Sequence, residues 1–372
     1  MAITIQFPHT LLAASLLLAA CSPGEISGIG PASSADDAVD VDMGKFGDQV
    51  GSPDGSVADP DDEPEPEPEP GGGSQPSVTF GVAGDFGGTE ERAGTVMDDI
   101  AERDLAAFYL IGDASYSEIE PEQAWCDWVH DHVGATFPFE VVAGNHEEDS
   151  EADGHILDFA ACMPDRVGSA LGPGGYGVNY RSDLGPVTFI ATSPDLEVGG
   201  VEYDYDEGSP ELGWLLAQIE AAQSEDDWVV VGMHKNCITI GNKTCEIGEA
   251  FAQRLIDAGV DLVLQGHDHD YQRTHALGGI VENGVGSIGD HGGDGAYARD
   301  AGTVFAIIGT AGTYLTDCSH DDPEYGNFAR HWCGEEANIS IGYMLLTADS
   351  AGLDAAFVTT AGTSFSDAFS IR

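Results

Sequence analysis

The sequence predicts an α/β fold for residues 77–372, with a largely parallel sheet and a second, mostly antiparallel one. Three observations support this prediction. Short apolar runs alternate with amphipathic stretches between Ser77 and His269, which is the pattern of repeated βαβ units. Beyond His269 the apolar runs continue without helical stretches, as expected of antiparallel strands. Hydrophobic residues make up 42% of the chain, which is enough for a packed core.

The apolar runs of the first part are short and continuous, which is typical of strands buried on both faces. These predicted strands are Val78–Ala83, Ala106–Ile111, Phe139–Ala143, Trp228–Met233 and Asp261–Gln265. The stretches between them have helical spacing and helix-end signals. The predicted helices are Thr89–Arg103, Pro121–Gly134, Pro210–Ser224 and Ile247–Ala258. The later strands, expected in the antiparallel sheet, are Thr303–Gly309, Ile341–Ala348, Leu353–Thr359 and Phe365–Ile371.

The first twenty residues have the features of an export signal. They contain no Lys, Arg, Asp or Glu, and an apolar run from Leu11 to Ala20 ends at Cys21. A bilayer core needs roughly 20 apolar residues, so we predict a signal peptide over residues 1–20 and not a membrane span. The segment from Leu18 to Cys21 resembles the lipobox of bacterial lipoproteins, which implies acylation of the Cys21 thiol and a lipid anchor in the cell envelope. The alternative is an ordinary secretory signal and a fully secreted protein.

Residues 21–76 are predicted to form an acidic, disordered tether after the lipidated cysteine. The segment consists mainly of Gly, Ser, Pro and Asp, and it ends in Glu-Pro repeats followed by glycines. Alternation of Glu and Pro favours an extended chain, so the segment would hold residues 77–372, the predicted catalytic domain, away from a membrane surface. A disordered tail without such a role is the alternative.

The charge of the chain limits its partners. It has 66 acidic against 12 basic residues and a formal net charge of −54. Nearly every face would repel a polyanion, which argues against nucleic acid as a bulk partner. Because the acidic excess extends along the whole chain, we also hypothesise adaptation to concentrated salt, which screens self-repulsion.

Six cysteines follow Cys21, and their even number in an exported domain predicts three disulfides. Six cysteines allow 15 connectivities. Loop closure favours neighbours in sequence, so the expected pairs are Cys126 with Cys162, Cys237 with Cys245 and Cys318 with Cys333. A cysteine zinc site is the competing interpretation, but the chain has no C-x-x-C pair.

Each of the five predicted strands of the first part is followed by a short polar motif. The motifs are Gly84-Asp85-Phe86-Gly87, Gly112-Asp113-Ala114-Ser115-Tyr116, Gly144-Asn145-His146-Glu147, Gly232-Met233-His234 and Gly266-His267-Asp268-His269. Ligands of open α/β sheets bind outside the carboxyl ends of the strands, so we expect the five motifs to converge on one crevice. A single motif of this kind is usually only a turn, whereas five in order at five strand ends indicate a site.

The side chains of these motifs offer oxygen and nitrogen donors without thiolates, which suits iron, zinc or manganese. Seven donors are too many for one tetrahedral ion, whereas two ions that share one carboxylate would use all of them. The predicted metal-binding residues are Asp85, Asp113, Tyr116, Asn145, His234, His267 and His269. Two ions about 3.5–4 Å apart can stabilise both the attacking and the leaving oxygen of a phosphoryl displacement.

These motifs resemble those of the calcineurin-like metallophosphoesterases, and specifically of their purple acid phosphatase branch, over Ser77 to Arg372. The wider superfamily has Asp-x-His in the first motif, whereas this chain has Asp85-Phe86-Gly87 and supplies Tyr116 from the second, as purple acid phosphatases do. The resemblance implies a four-layer α/β/β/α sandwich with two mixed sheets. It also implies Fe(III) on Asp85, Tyr116 and His269, a divalent ion (Fe, Zn or Mn) on Asn145, His234 and His267, and a bridging Asp113.

The resemblance further implies a hydrolase of small phosphate monoesters, in which a metal-bound hydroxide attacks phosphorus in line. His146 would bind phosphate or protonate the leaving group. Lys235 follows the ligand His234 and is a candidate phosphate contact, or else a solvated loop cation. The alternatives are a phosphodiesterase or nucleotide phosphohydrolase with the same site, and a non-catalytic surface binding protein.

Two further features carry weaker predictions. The segment Gly284–Gly289 fits G-x-G-x-x-G, but no helix is predicted after it, which argues against a dinucleotide site. The insert from Asp149 to Gly208 and the segment from Gly278 to Gly302 are expected to wall the crevice and to select the substrate. The sequence leaves the oligomeric state open.

Overall fold

The computed structural model describes residues 76–334, 340–362 and 364–372. The predicted signal peptide, the lipidation site Cys21 and the tether up to residue 75 lie outside these residues. Within the described part, no helix combines the length and the apolar character that a membrane span requires.

The described chain contains nineteen strands and five α-helices. The strands are β1 (Val78–Ala83), β2 (Phe108–Ile111), β3 (Phe139–Val142), β4 (Ala170–Leu171), β5 (Tyr180–Leu184), β6 (Val187–Ala191), β7 (Glu197–Val198), β8 (Val201–Glu202), β9 (Trp228–Gly232), β10 (Leu262–Gln265), β11 (Tyr271–Thr274), β12 (Ala276–Glu282), β13 (Val285–Asp290), β14 (Ala296–Tyr297), β15 (Val304–Ile308), β16 (Phe328–Trp332), β17 (Ser340–Asp349), β18 (Gly352–Gly362) and β19 (Ala368–Ile371). The helices are α1 (Ala93–Ala101), α2 (Glu122–Val133), α3 (Ile156–Cys162), α4 (Pro210–Ser224) and α5 (Glu249–Asp257). Single 3₁₀ turns occupy Asn145–Glu147, Arg299–Ala301 and Pro323–Asn327.

Most strands belong to two large mixed sheets. The seven-stranded sheet has the order β14-β19-β18-β17-β1-β2-β3, with β1, β2 and β3 parallel and β17 antiparallel to β1. The eight-stranded sheet has the order β16-β11-β15-β10-β9-β6-β5-β4, with β6, β9, β10 and β15 parallel. Two hairpins, β7-β8 and β12-β13, stand apart.

The two sheets pack face to face and helices cover their outer faces. Side chains of both sheets form the layer between them, including Phe80, Tyr109, Phe189, Val230, Leu264 and Leu346. Helix α1 contacts β17 and β18 and α3 contacts β3, while α4 contacts β6 and β9 on the other sheet. The crossovers through α4 and α5 advance in the same direction, which places both helices on one face. The four-layer α/β/β/α architecture is therefore confirmed.

The division of strands between the sheets differs from the local sequence prediction, which was wrong on this point. The five early strands do not share one parallel sheet, because β1 to β3 lie in one sheet and β9 and β10 in the other. The late strands do not form a separate antiparallel sheet either. Strand β15 extends the parallel part of the eight-stranded sheet, and β17 to β19 extend the seven-stranded one. Pairing such as Phe80 with Leu346 joins distant parts of the chain, and local periodicity carries no information about it.

The insert between β3 and β9 is more regular than the sequence predicted. It contains α3 and the hairpin β5-β6, whose turn places Gly185 at a φ of +59°. Strand β6 is buried on both faces and pairs with β9, so this part of the insert is core and not wall.

Helix α4 matches its predicted bounds because its start signals are strong. Pro210 occupies the first turn, where no backbone N–H is needed, and Ser209 Oγ accepts from Leu212 N at 3.1 Å. Helix α1 begins at Ala93, four residues after the predicted start. Thr89 O accepts from Arg92 N and Gly94 N, which closes a turn before the helix.

The three expected disulfides are all present. Cys126 is bonded to Cys162, Cys237 to Cys245 and Cys318 to Cys333. Each closes a local segment, which confirms the pairing of neighbours.

Candidate metal centre

The five polar motifs meet at one place although their strands belong to two sheets. They follow the carboxyl ends of β1, β2, β3, β9 and β10. Backbone contacts bind them together: Asp85 N donates to Gly112 O at 3.1 Å and Gly266 N to His234 O at 3.0 Å. His267 N donates to Asp85 Oδ2 at 3.0 Å and thereby joins the two sheets. All seven predicted ligands lie in this region.

One group of ligands surrounds the Tyr116 hydroxyl. Tyr116 Oη is 2.7 Å from Asp85 Oδ1, 2.9 Å from Asp113 Oδ2 and 3.1 Å from His269 Nε2. His269 Nε2 is also 3.2 Å from Asp85 Oδ1. Four donor atoms from four residues thus point at a common volume.

A second group lies on the other side of Asp113. His234 Nε2 is 3.2 Å from Asp113 Oδ2 and 3.1 Å from Asn145 Oδ1. Asp113, His234 and His267 each offer a ligand atom within 4.8 Å of the others, and the same holds for Asp85, Asp113 and His269. Asp113 belongs to both groups, so this set of residues fits two metal ions that share one carboxylate.

Several of these residues have an unusual backbone conformation. The φ angle is +66° at Asp85, +57° at Asp113, +49° at Tyr116 and +72° at His267. Non-glycine residues seldom adopt positive φ, which costs about 1–3 kcal/mol each and is concentrated at functional sites. The strain therefore supports a functional role for this cluster.

Two glycines of the motifs lie so close to predicted ligands that a Cβ would not fit. A Cβ on Gly144 would lie 2.2 Å from Asp113 Oδ1, and a Cβ on Gly266 would lie 2.6 Å from Asp85 Oδ2. A side chain at either position would collide with a predicted metal ligand, so both strand ends require glycine.

The electrostatics of the centre favour positive charge. Burial alone would lower the pKa of His234, but the charge and hydrogen bond of Asp113 and the charge of Asp85 outweigh burial and raise it to about 9. Burial and the same two carboxylates hold the pKa of the Tyr116 hydroxyl well above its ordinary value. Buried carboxylates that stabilise a cation in this way are suited to metal ions, which would also displace the phenolic proton.

Glu147, to which the sequence analysis gave no role, connects two of the motifs. It is fully buried, and its carboxylate accepts from Asp113 N at 2.9 Å, Ala114 N at 2.7 Å and Gly144 N at 2.9 Å. These bonds fix the backbone of the second motif against the third. The side chain is a structural connection and not a predicted ligand.

The three predicted histidine ligands are oriented through their second ring nitrogens. His234 Nδ1 lies 2.9 Å from Ile111 O and His269 Nδ1 lies 3.0 Å from Tyr314 O. A carbonyl oxygen can only accept, so each Nδ1 donates its proton to the carbonyl and each Nε2 is the nitrogen directed toward the other predicted ligands. His267 has the opposite arrangement, because its Nε2 lies 3.0 Å from Glu246 Oε1 and its Nδ1 is free.

His146 lies beside the two groups and faces solvent on one side. Its Nε2 is 3.8 Å from Asp113 Oδ2, its Nδ1 is 2.6 Å from Asp153 Oδ2, and 29% of its side chain is exposed. Ser117 Oγ donates to the other oxygen of Asp153 at 2.6 Å. Hydrogen bonds from Ser117 and His146 hold the pKa of Asp153 below its ordinary value. The partially exposed imidazole therefore has a fixed carboxylate partner that the sequence analysis missed.

Lys235 is engaged by carboxylates. Its Nζ donates to Asp195 O at 2.6 Å and to Asp195 Oδ2 at 2.8 Å, and it lies 3.6 Å from Glu246 Oε2. The side chain is 10% exposed, so it is not a solvated loop cation. Its contact with phosphate stays a prediction.

The G-x-G-x-x-G segment begins at the turn of the β12-β13 hairpin and runs along β13. Gly284 lies in the turn, and no helix follows β13 directly in this described part of the chain. The prediction that this segment does not form a dinucleotide site agrees with its position.

Comparisons with known proteins agree with this geometry. Residues 78–271, which contain all five motifs and make up just over half of the chain, match the family model of the calcineurin-like phosphoesterases. The Fe(3+)-Zn(2+) purple acid phosphatase 12 of Arabidopsis thaliana is 25% identical over 277 residues, which cover 68% of this chain and 56% of that protein. An uncharacterized protein of Mycobacterium tuberculosis is 31% identical over 201 residues, which cover 48% of this chain and 37% of that protein.

A similar fold is found in a solved structure, that of a purple acid phosphatase from yellow lupin (Lupinus luteus). The TM-score is 0.61 at 16% sequence identity, covering 80% of this chain and 54% of that one. The chain spans only about a third to a little over half of the length of these proteins. The resemblance inferred from the five motifs is confirmed.

Proposed function

Because this chain belongs to the calcineurin-like phosphoesterase family, we propose that it is a metal-dependent hydrolase of small phosphate monoesters. The observation that carries the proposal is the pair of ligand groups that share Asp113, with His146 beside them and outside both. A site that only bound metal would have no use for an additional, partly exposed histidine with its own carboxylate partner.

The proposed cofactor is a pair of metal ions, Fe(III) together with divalent Fe, Zn or Mn. Asp85, Tyr116 and His269 would hold the first ion, Asn145, His234 and His267 the second, and Asp113 both. When bound, such a pair activates water and neutralises the charge of a phosphoryl group. The phenol and carboxylates of the first group favour a hard, highly charged ion, and the imidazoles and amide of the second suit a divalent one.

The proposed role of His146 is to hold and donate a proton. Asp153 fixes the ring through Nδ1, so that Nε2 faces the open side of the centre near Asp113. From there Nε2–H can donate to a phosphoryl oxygen of the bound substrate or to the oxygen of the departing alcohol. Lys235 remains a candidate for a phosphate contact.

Hydrolysis of a chromogenic phosphomonoester and of its diester counterpart tests the proposal. The full chain, loaded with iron and zinc, is assayed at acidic and neutral pH in high salt. We expect turnover of the monoester that disappears, together with bound metal, in Asp113→Ala. Asp257→Asn, an exposed substitution on α5, is the matched control and should keep both. Faster turnover of the diester would change the substrate class, and no turnover by a metal-loaded, folded sample would refute the proposal.

We also propose that the protein is exported and anchored through a lipid on Cys21. The three disulfides support an oxidising compartment. Replacement of Cys21 by Ala should move the protein from the membrane fraction to the soluble fraction in a bacterial expression host. An unchanged distribution would argue for a fully secreted or otherwise retained protein.

A further inference from the structure

One histidine of the second group, His267, differs from the other two proposed histidine ligands in the group that supports its ring. Among the three histidines proposed as ligands, His234 and His269 contact backbone carbonyls, whereas His267 contacts the side-chain carboxylate of Glu246. A carboxylate is a charged acceptor and binds an N–H group more strongly than a neutral carbonyl does. The difference gives His267 a partner that can be removed by mutation without altering the backbone.

Glu246 itself is fixed by charge. Its Oε1 lies 3.0 Å from His267 Nε2 and its Oε2 lies 3.6 Å from Lys235 Nζ. Lys235 is bound in turn to Asp195, at 2.8 Å through the side chain and 2.6 Å through the backbone carbonyl. The carboxylate of Glu246 therefore lies between one imidazole and one ammonium group. The contacts run from Asp195 through Lys235 and Glu246 to His267.

The backbone that carries Glu246 is also fixed. The Cys237–Cys245 disulfide closes the segment immediately before Glu246, and Glu246 N donates to Asn236 O at 3.3 Å. Asp268, which separates the two ligands His267 and His269 in sequence, binds this segment through its carboxylate. Its oxygens accept from Asn242 N at 2.7 Å, Lys243 N at 3.0 Å and Thr239 Oγ1 at 2.5 Å. The same motif thus supplies His267 and anchors the segment that supports it.

We propose that Glu246 is a positioning residue for the second metal ion, a proposal that rests on the proposed function. It accepts the Nε2–H of His267, fixes the ring and leaves Nδ1 as the nitrogen that binds the ion. A carboxylate in this role also makes the imidazole a better ligand. Lys235 and Asp195 hold Glu246 in place, which gives Lys235 a role that needs no contact with phosphate.

The proposal predicts that the two ions are lost unequally. Removal of a partner of this kind typically weakens metal binding about 10- to 100-fold. Glu246→Ala removes the acceptor and should weaken binding of one ion by that factor, while the other ion stays bound. Glu246→Gln keeps the shape and an acceptor oxygen but loses the charge, so its effect should be smaller. Lys235→Met should weaken the same ion, less than Glu246→Ala does.

The test is a chelator titration of the full chain, with the bound metal counted by elemental analysis after each step. Glu249→Gln is the matched control, because Glu249 lies three residues further on and binds Gly284 N at 2.8 Å, with no contact to His267. Thermal unfolding in excess chelator checks that the metal-free variants remain folded. We expect one ion to be released at a lower chelator concentration in Glu246→Ala and Lys235→Met, and no change in Glu249→Gln.

Equal release curves for wild type and Glu246→Ala would overturn the proposal. A change in Glu246→Ala with none in Lys235→Met would overturn the part assigned to Lys235. The proposed function fails in a different way, namely if the wild-type protein binds two ions but hydrolyses neither phosphomonoester nor diester.

Discussion

Replacement of Asp153 by Asn is predicted to slow the hydrolysis of alkyl phosphates about tenfold and to leave aryl phosphates nearly unchanged. The prediction follows from the 2.6 Å contact between Asp153 Oδ2 and His146 Nδ1. Asn keeps the shape of the side chain but loses the charge that strengthens the hydrogen bond to the ring and holds the ring in place. In the proposed mechanism the departure of an alkoxide needs a proton from His146, whereas a phenolate with electron-withdrawing groups leaves without one.

The expected loss of kcat follows from the strength of the His146–Asp153 hydrogen bond and from the exposure of the two side chains. A hydrogen bond to a charged group contributes about 1.5–3 kcal/mol. Both side chains are 29% exposed, so solvent screening reduces the value toward the lower limit, about 1.5 kcal/mol. Since each 1.36 kcal/mol is a factor of ten in rate, the expected loss in kcat is about tenfold. His146→Ala sets the upper limit for this loss, because removal of a general acid lowers the rate about 10²- to 10⁴-fold.

The assay compares kcat for an alkyl phosphate and an activated aryl phosphate, with bound metal measured in the same samples. Asp158→Asn, an exposed change on α3 that leaves the His146–Asp153 pair intact, serves as the control. Equal losses on both substrates with metal retained would show that Asp153 does not act through proton donation. An unchanged rate on the alkyl phosphate would refute the role of the pair altogether.

Three further predictions test other parts of the molecule. A Cβ on Gly144 would lie 2.2 Å from Asp113 Oδ1, so Gly144→Ala should lower both the amount of bound metal and Tm. Gly213 in α4 has open space around it and serves as the control. Gly213→Ala should raise the free energy of unfolding in urea by about 0.5–1 kcal/mol. Burial raises the pKa of Glu324 to about 7, with Asp322 and Glu249 adding to the shift. The folded state then binds more protons than the unfolded state between about pH 4.5 and 7, so the free energy of unfolding should fall as pH rises through this interval, and Glu324→Gln should flatten that slope. Finally, the net charge of −54 predicts that Tm rises as salt is added from near zero; a flat or falling Tm would contradict salt adaptation.

The sequence predicts the elements well because their signals are local. Strand β1 and helix α4 have the predicted bounds, and the other early strands differ by one or two residues at their ends. The assignment of strands to sheets depends instead on pairing between distant segments, such as β1 with β17. The resemblance to the family predicted two mixed sheets, whereas local periodicity could not show which strands pair.

The same distinction explains which parts of the site were predicted. The seven proposed ligands directly follow strands or lie in tight motifs, so the sequence shows their type and the sheet rule shows where they meet. Asp153 and Glu246 lie in loops without periodicity, and only the folded chain brings them to His146 and His267.

Lys235 shows how contacts between distant segments alter the role that the sequence alone suggests for a residue. Its place beside a predicted ligand indicates an anion contact, but an ammonium group binds the carboxylates nearest to it in space, and in this acidic chain those are Asp195 and Glu246. An exposed phosphate would have to compete with two carboxylates that are already in place, one of them also bound to His267. The charge composition of the chain therefore favours an internal role for Lys235, and it leaves the proposed metal ions as the main source of positive charge for a phosphorylated substrate.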